Sequence, residues 1–347
     1  MELDVSPANN IEEAENLVNK SERYLLKKDI IEDKAIGDWR NTVVLTADDP
    51  DDGEKYFIEH AEHIYDQEKL QQPQLNAIKI YEDSYKQYAS SAGNTYPDAS
   101  KAINQQMNKG CLIFNYVGHG SEDHLSSERL ITITDIMGWT NYNSMPLLIT
   151  STCEFARFDM VDKPSAAEYT LYNENGGMIA LISASRTITS EDLINQDFHR
   201  FALEKIENNQ TRTFGQAYSA TKNNKTNHMG LDKRSVLLLG DPALRISTPK
   251  YDVVTTSIND INPEIENDTL KALSTATIKG KIVDNENNIV NNFNGIIQIT
   301  LYDKSSNYYT LDNENNGSSI QFEQQKNILY KGKAKVENGL FTHSFTI

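Results

Sequence analysis

Cysteine is nearly absent: the 347 residues hold two, Cys111 and Cys153. Two thiols, one of them inside the apolar run Cys111-Leu112-Ile113-Phe114, exclude a disulfide framework as what holds the fold and leave room for a reactive thiol. No run of about 18 apolar residues occurs, so the sequence offers no candidate for a membrane-spanning helix. The first residues, Met1-Glu2-Leu3-Asp4-Val5, carry acids where a secretory leader carries bases and an apolar stretch. The chain therefore reads as cytosolic or as a piece of something longer. Positive charge is also short, with 33 Lys and Arg against 50 Asp and Glu and a net charge of −17. That disfavours a nucleic-acid backbone or an anionic membrane surface as the main partner, because like charges repel. No internal repeat is present, and asparagine-rich stretches such as Asn313-Glu314-Asn315-Asn316 read as loop tips.

What is present suits two domains with ample core, since 38% of the residues are hydrophobic. Up to Ile246, apolar strand-like runs alternate with helical patterns, the signature of a parallel sheet covered by helices on both faces. Helices are predicted over residues 11–26, 56–65, 99–107, 166–172, 193–206 and 214–222. Strands are predicted over 42–46, 77–81, 111–116, 147–150, 178–182 and 236–239, the last closed by the turn residues Gly240-Asp241-Pro242. After Thr248-Pro249 the pattern changes to short alternating runs, Ala276 to Val283 and Gly295 to Tyr302, separated by acidic and amide-rich turns. These predict an antiparallel β-sandwich.

Two turns carry chemistry. Tyr116-Val117-Gly118-His119-Gly120 and Ser151-Thr152-Cys153-Glu154-Phe155 each follow one buried strand. Parallel strands that end together deliver their next residues into one crevice, so His119 and Cys153, 34 apart in sequence, can meet. A thiol near pKa 8.5 is only a few per cent thiolate at pH 7, and a nearby imidazole raises that fraction or takes the proton during attack. Gly118 and Gly120 let the backbone turn sharply and approach a substrate closely. The amides of Gly120 and Cys153 are candidates to hold a developing oxyanion, and one such donor contributes about 3 kcal/mol to the transition state. The plainer reading makes Cys153 a small buried hydrophobe and His119 a satisfied turn residue.

A resemblance bears on that choice. From Gly110 to Asp159, an apolar strand, His-Gly, a spacer, a second apolar strand and Thr-Cys resemble the histidine and cysteine blocks of caspase-fold cysteine peptidases, and among them the gingipain family. The caspase branch fits worse, lacking here its Gln-Ala-Cys signature and its interval of about 50 residues. Asn115 to Glu122 resembles the gingipain histidine block, Met178 to Ser185 a strand on its substrate side, and Leu239-Gly240-Asp241-Pro242-Ala243-Leu244 the end of its peptidase domain. Thr152-Cys153-Glu154-Phe155-Ala156-Arg157-Phe158-Asp159 is similar to the cysteine block of the sortase branch that serves type IX secretion.

The resemblance implies a three-layer α/β/α caspase-like, mostly parallel sheet over residues 1–248, followed by an immunoglobulin-like β-sandwich over 249–347. It also implies that the peptidase domain lacks its N-terminal half, beginning within it at Met1 to Asn10. There Leu3 to Asn10 is similar to the start of a family strand without its Gly-Arg pair. The implied activity is a cysteine endopeptidase or sortase that forms a thioester on Cys153. It would cleave C-terminal sorting domains from secreted cargo and join the new terminus to an anionic lipopolysaccharide at the bacterial surface. The expected partners are such cargo, that lipopolysaccharide and other type IX secretion components. The net charge is at odds with close contact to the lipopolysaccharide unless divalent cations screen it. A non-catalytic peptide-binding module and a gingipain-like endopeptidase without transferase activity are the rival readings.

The same comparison supplies a third residue. Val43-Val44-Leu45-Thr46-Ala47-Asp48 is similar to the segment whose acid orients the imidazole, which places Asp48 in that role. Asp48 opens the run Asp48-Asp49-Pro50-Asp51-Asp52-Gly53-Glu54, expected as a solvated loop leading into a helix. The alternative is an oxygen-rich calcium site without EF-hand spacing. No cofactor is otherwise expected. Phe57 falls near the position where arginine-specific gingipains carry an acid, so arginine specificity is not expected. Phe57, Glu154, Ser185 and Arg186 are the candidate substrate contacts. Arg186 is read equally as a surface ion pair, and Glu154 should raise the thiol pKa unless it faces away. His124 is a rival base or a plain loop residue. His60 and His63, at i, i+3, have no third ligand to complete a metal site.

Overall fold

The computed structural model describes residues 7–25, 37–91, 93–188, 192–206, 210–224, 232–266, 269–317 and 319–347. The expected strand start at Leu3 to Val5 and the helical end at Leu26 lie outside the described residues. The chain divides into two compact units, Met1–Ser247 with Asn307–Gln324, and Thr248–Ser306 with Gln325–Ile347. The expected boundary near 248 is thus crossed once, because residues 307–324 belong with the first unit.

The first unit is built on six strands: β1 (Thr42–Ala47), β2 (Asn76–Tyr81), β5 (Ile113–Val117), β8 (Leu147–Ser151), β9 (Ala180–Ala184) and β10 (Val236–Gly240). Local hairpins supply β3 (Tyr88–Ser90) with β4 (Gly93–Thr95), and β6 (His124–Leu125) with β7 (Ile131–Thr132). The sheet order is β10-β9-β8-β5-β1-β2, and every neighbouring pair is parallel except β10 with β9. Its helices are α1 (Ile11–Leu25), α2 (Tyr56–Gln71), α3 (Pro97–Lys109), α4 (Ile133–Gly138), α5 (Ala166–Tyr172), α6 (Asp192–Leu203) and α7 (Phe214–Asn223).

Alternation within each strand makes the three layers. Val43, Leu45, Ile113, Val117, Leu147 and Ile149 enter one apolar cluster, with Phe57, Ile58, Ala61 and Ile64 of α2 and Phe214 of α7. Val44, Phe114, Tyr116 and Leu148 enter the other, with Ala99, Ile103 and Met107 of α3. Successive side chains of a strand face opposite ways, so a slip of one residue would exchange the two faces. Each fully buried Leu, Ile or Phe contributes roughly 1.5–3 kcal/mol, which makes that exchange prohibitive. Local signals mark the helix starts: capping boxes at Thr132/Asp135, Ser165/Glu168 and Thr213/Gln216, and Pro97 at the first turn of α3.

The second unit holds β11 (Asp252–Ile258), β12 (Thr275–Val283), β13 (Gly295–Tyr302), β16 (Ile328–Glu337) and β17 (Leu340–Thr346), ordered β11-β12-β17-β16-β13. β14 (Ser306–Tyr309) and β15 (Gln321–Gln324), which fall within the 307–324 stretch of the first unit apart from Ser306, pair separately. β16 and β17 share two registered pairs, after which β17 runs with β12 and β16 with β13. The five antiparallel strands form one sheet and share one small core, to which Ile278, Ile282, Phe345 and Val336 contribute, with Ile297 and Tyr330 packed against it. Among the described residues, no helix is long and apolar enough to cross a membrane.

Candidate active site

Strand register builds the site. Ala47 is paired with Tyr81 on one side and with Val117 on the other, and Val117 is paired with Ser151. Tyr81, Ala47, Val117 and Ser151 therefore form one row across the C-terminal edge of the sheet. The chain continues from that row into Glu82, Asp48, Gly118-His119 and Thr152-Cys153. The sheet order also reverses between β1 and β5, the topological switch point where open α/β sheets bind ligands. The Gly118 amide donates to the Ser151 carbonyl at 3.0 Å, which ties the histidine turn to the cysteine turn. A Cβ on Gly120 would stand 2.4 Å from Thr152 Oγ1, so no side chain fits between the turns there. On Gly118 it would stand 2.3 Å from the Asp48 Cβ.

Cys153 is part-buried against the core, and its Sγ donates to the Ile188 carbonyl at 3.5 Å. Cys111 is fully buried in the other apolar cluster, where loss of solvent pushes its thiol pKa far up. The two thiols thus differ sharply in access.

The imidazole departs from expectation. Asp48 was expected to orient it, but the Asp48 carboxylate instead accepts the main-chain N–H of His119 at 2.7 Å, and that of Asp49 at 3.2 Å. The acid at the ring is Glu54, whose Oε2 is 2.8 Å from Nε2 while its Oε1 accepts from the Tyr56 hydroxyl. The physical reason is position: Asp48 follows β1 at once and meets the main chain of the turn, whereas Glu54, six residues on and just before α2, reaches the ring. A carboxylate at Nε2 places the ring proton there and leaves Nδ1 as the basic nitrogen. Burial would lower the His119 pKa, but the Glu54 hydrogen bond and the charges of Asp48, Glu54 and Asp51 outweigh it and raise the value. Phe57, expected as a substrate contact, is buried, and its ring meets the imidazole edge-on at 5.1 Å. It backs the base.

The remaining candidates divide. Glu154 has φ +55° and pairs with Arg157 at 3.5 Å. Ser185 is buried and bonded to the Ser235 carbonyl through both its amide and its hydroxyl, a structural tie. The Arg186 guanidinium is held by both oxygens of Asp159, the ion-pair reading of that residue. His124 Nδ1 lies 3.0 Å from Ser121 Oγ, and burial lowers its pKa. The rings of His60 and His63 lie 6.4 Å apart and tilted along α2, and neither enters a metal-capable group among the described residues. Asp48 and Asp49 are buried, which corrects the solvated-loop reading of their run. Burial raises both carboxyl pKa values, that of Asp49 to about 8.

Sequence reasoning missed Glu54 as the imidazole's partner, together with Glu82 and Glu128. Glu82 had a usable signal, since it follows the end of β2 as Asp48 follows the end of β1. Nothing in an unbroken acidic run marks which member turns toward a ring.

The sequence pattern of peptidase family C25 matches residues 6–247. The chain belongs to this family, the gingipain family of cysteine-type peptidases. The crystal structure of the Arg-specific cysteine proteinase gingipain R (RgpB) is similar with a TM-score of 0.55 at 19% identity, covering 96% of this chain and 66% of that one. The complex of Porphyromonas gingivalis RgpB pro- and mature domains gives the same TM-score and identity, covering 96% and 68%. At that identity the likeness establishes the fold, a caspase-like α/β/α arrangement, and this chain spans just under two thirds of the first of them. Dimeric latent PorU from Porphyromonas gingivalis matches at a TM-score of 0.29, with 16% identity over 88% of this chain and 39% of that one, too low to carry an argument. No curated protein sequence matches the chain.

Proposed function

We propose that the chain carries the nucleophile and base of a cysteine peptidase, with Cys153 attacking a peptide carbonyl and His119 managing the proton. The observation that supports this most is the registered row: Val117 pairs with Ser151, and His119 and Cys153 each stand two residues beyond. In this reading His119 Nδ1 takes the thiol proton, and the thiolate adds to the carbonyl carbon. The Gly120 N–H makes no hydrogen bond among the described residues and, in this reading, joins the Cys153 N–H in holding the oxyanion. Collapse of that adduct expels the amine, protonated by the imidazolium, and leaves a thioester on Cys153. Glu54 steadies the imidazolium. Asp48 acts one step back, holding the histidine's main chain.

The acceptor decides the finer function. The likeness of Thr152 to Asp159 to the sortase branch favours removal of a C-terminal sorting domain from secreted cargo and transfer of the new terminus to an amine of anionic lipopolysaccharide at the cell surface. Water as acceptor makes the protein a secreted endopeptidase instead. Alkylation tests the common first step: iodoacetamide should label Cys153 at least ten times faster than Cys111, and His119→Ala should remove most of that preference. Equal, slow labelling would favour a peptide-binding module. Intact-mass analysis with cargo should then show an acyl adduct absent from Cys153→Ala, and the mass of the released cargo distinguishes a free carboxylate from an amide-linked product.

A further inference from the structure

We propose that Asn195 and His199 of α6 are positioning residues for the cysteine turn, acting through a buried row of polar side chains that ends on Ser151, two residues before Cys153. The proposal rests on the cysteine-peptidase reading of the site. The row is continuous. Glu68 Oε1 on α2 lies 2.7 Å from His199 Nδ1, and His199 Nε2 lies 3.0 Å from Asn115 Nδ2 on β5. Asn115 Nδ2 also donates to Asn195 Oδ1 at 2.6 Å, and Asn195 Nδ2 donates to Ser151 Oγ on β8 at 3.0 Å. The carboxylate at Nδ1 places the ring proton there, which leaves Nε2 as the acceptor for the Asn115 amide. Asn195 and His199 stand at i, i+4 and so share a face of α6. All five side chains are buried.

Their positions are ones the core pattern gives to apolar residues. Asn115 lies between Ile113 and Val117 on the strand face that enters the first apolar cluster, and Ser151 follows Leu147 and Ile149 on the same face. Asn195 and His199 adjoin Ile194, Phe198 and Ala202, while Glu68 follows Ala61 and Ile64 along α2. Nor is the row fully satisfied. Asn115 Oδ1 is buried with no partner among the described residues, whereas its Nδ2, with two protons, faces three acceptors, the third being the Ile149 carbonyl at 3.3 Å. An apolar filling of the same shape is no less stable than a half-matched polar one. Departures of this kind concentrate at functional sites. The elements joined point to the role: β5 leads to His119, β8 leads to Cys153, and α6 begins four residues after Ile188, whose carbonyl accepts from the Cys153 Sγ at 3.5 Å. The Ser151 carbonyl in turn takes the Gly118 N–H. Pinning α6 to both strands therefore fixes the Ile188 carbonyl, and with it the thiol.

Iodoacetamide labelling of Cys153 in the full chain, followed by peptide mass from about pH 6 to pH 9, tests this alongside Tm. His119→Ala should raise the labelling midpoint towards that of an ordinary thiol, about 8.5. Asn195→Leu, which fills the space of the amide without its hydrogen bonds, should move the midpoint the same way and slow labelling at pH 7 about tenfold. Should that variant fail to fold, Ser151→Ala is the smaller change and should act in the same direction. Asn173→Leu removes an equally buried amide, one that donates to the carbonyls of Ile136 at 2.8 Å and Trp139 at 2.9 Å. It should lower Tm and leave midpoint and rate as in wild type. Wild-type midpoint and rate in Asn195→Leu or Ser151→Ala, with the His119→Ala shift intact, would overturn the positioning role alone. An equal shift in Asn173→Leu would also overturn it, by tracing the effect to general loosening. No shift in His119→Ala would overturn the reading of the site and this proposal with it.

Discussion

At the scale of single residues, Glu54 and His119 set what the imidazole can do. The folded His119 pKa stands above its ordinary value near 6.5, and the Glu54 hydrogen bond is a leading cause after burial's opposing effect. Glu54→Gln should therefore lower the histidine's titration midpoint, read by NMR of the ring protons, and lower the rate of Cys153 alkylation. The linkage has a definite sign. Stability from the pair is complete below pH 6.5 and is lost as pH rises through the raised folded value. The stability gap between wild type and Glu54→Gln should be widest near pH 6 and close by pH 9. The two turns that carry His119 and Cys153 were legible in the sequence because each follows a short apolar run, Ile113–Val117 and Leu147–Ser151, with glycine or threonine at the turn. The identity of the acid was not, because Asp48 and Glu54 stand in the same run and only the path into α2 decides which one reaches the ring.

Elements were legible where periodicity and chain chemistry agreed. Strands Thr42–Ala47, Leu147–Ser151 and Val236–Gly240 lie within a residue of expectation, and so do helices Ala166–Tyr172 and Phe214–Asn223. The six-residue α4 was missed because it is too short to show a helical period, although its Thr132/Asp135 capping box is written in the sequence. Missed too was the ammonium of Lys20, which is fully buried under the end of α5 and donates to the carbonyls of Thr170 at 3.2 Å and Leu171 at 2.8 Å. Terminal carbonyls of a helix have no intrahelical donor and carry its negative end. Lys20→Met keeps the apolar stem and removes the donor, so it should cost about 1–3 kcal/mol in urea unfolding. A neutral result would mean that water reaches those carbonyls.

For the whole molecule, the informative feature is the return of residues 307–324 to the first unit. Phe322 is buried in its core, 4.9 Å edge-on from Tyr81, with Tyr308 and Ile320 packed against the same cluster. Asn313 bonds Asp83 and the Tyr85 carbonyl, and Asn316 reaches the Pro50 carbonyl. The asparagine-rich stretch is an exposed turn, as its composition suggested, and it is also docked through Asn313 and Asn316. Composition describes solubility and turn propensity, and it is silent on what a turn lies against. Phe322→Ala should destabilise the first unit by about 3–5 kcal/mol, followed by near-ultraviolet circular dichroism in denaturant. A loss confined to the second unit would contradict that placement.

A ribosome making this chain releases the acidic edge of the sheet long before it releases the segment that covers it. The first unit cannot close its interior until Gln324, 77 residues after Ser247, has left the exit tunnel. Until then Tyr81 keeps an unfilled side, and the nascent chain holds its thiol and imidazole on an unfinished support.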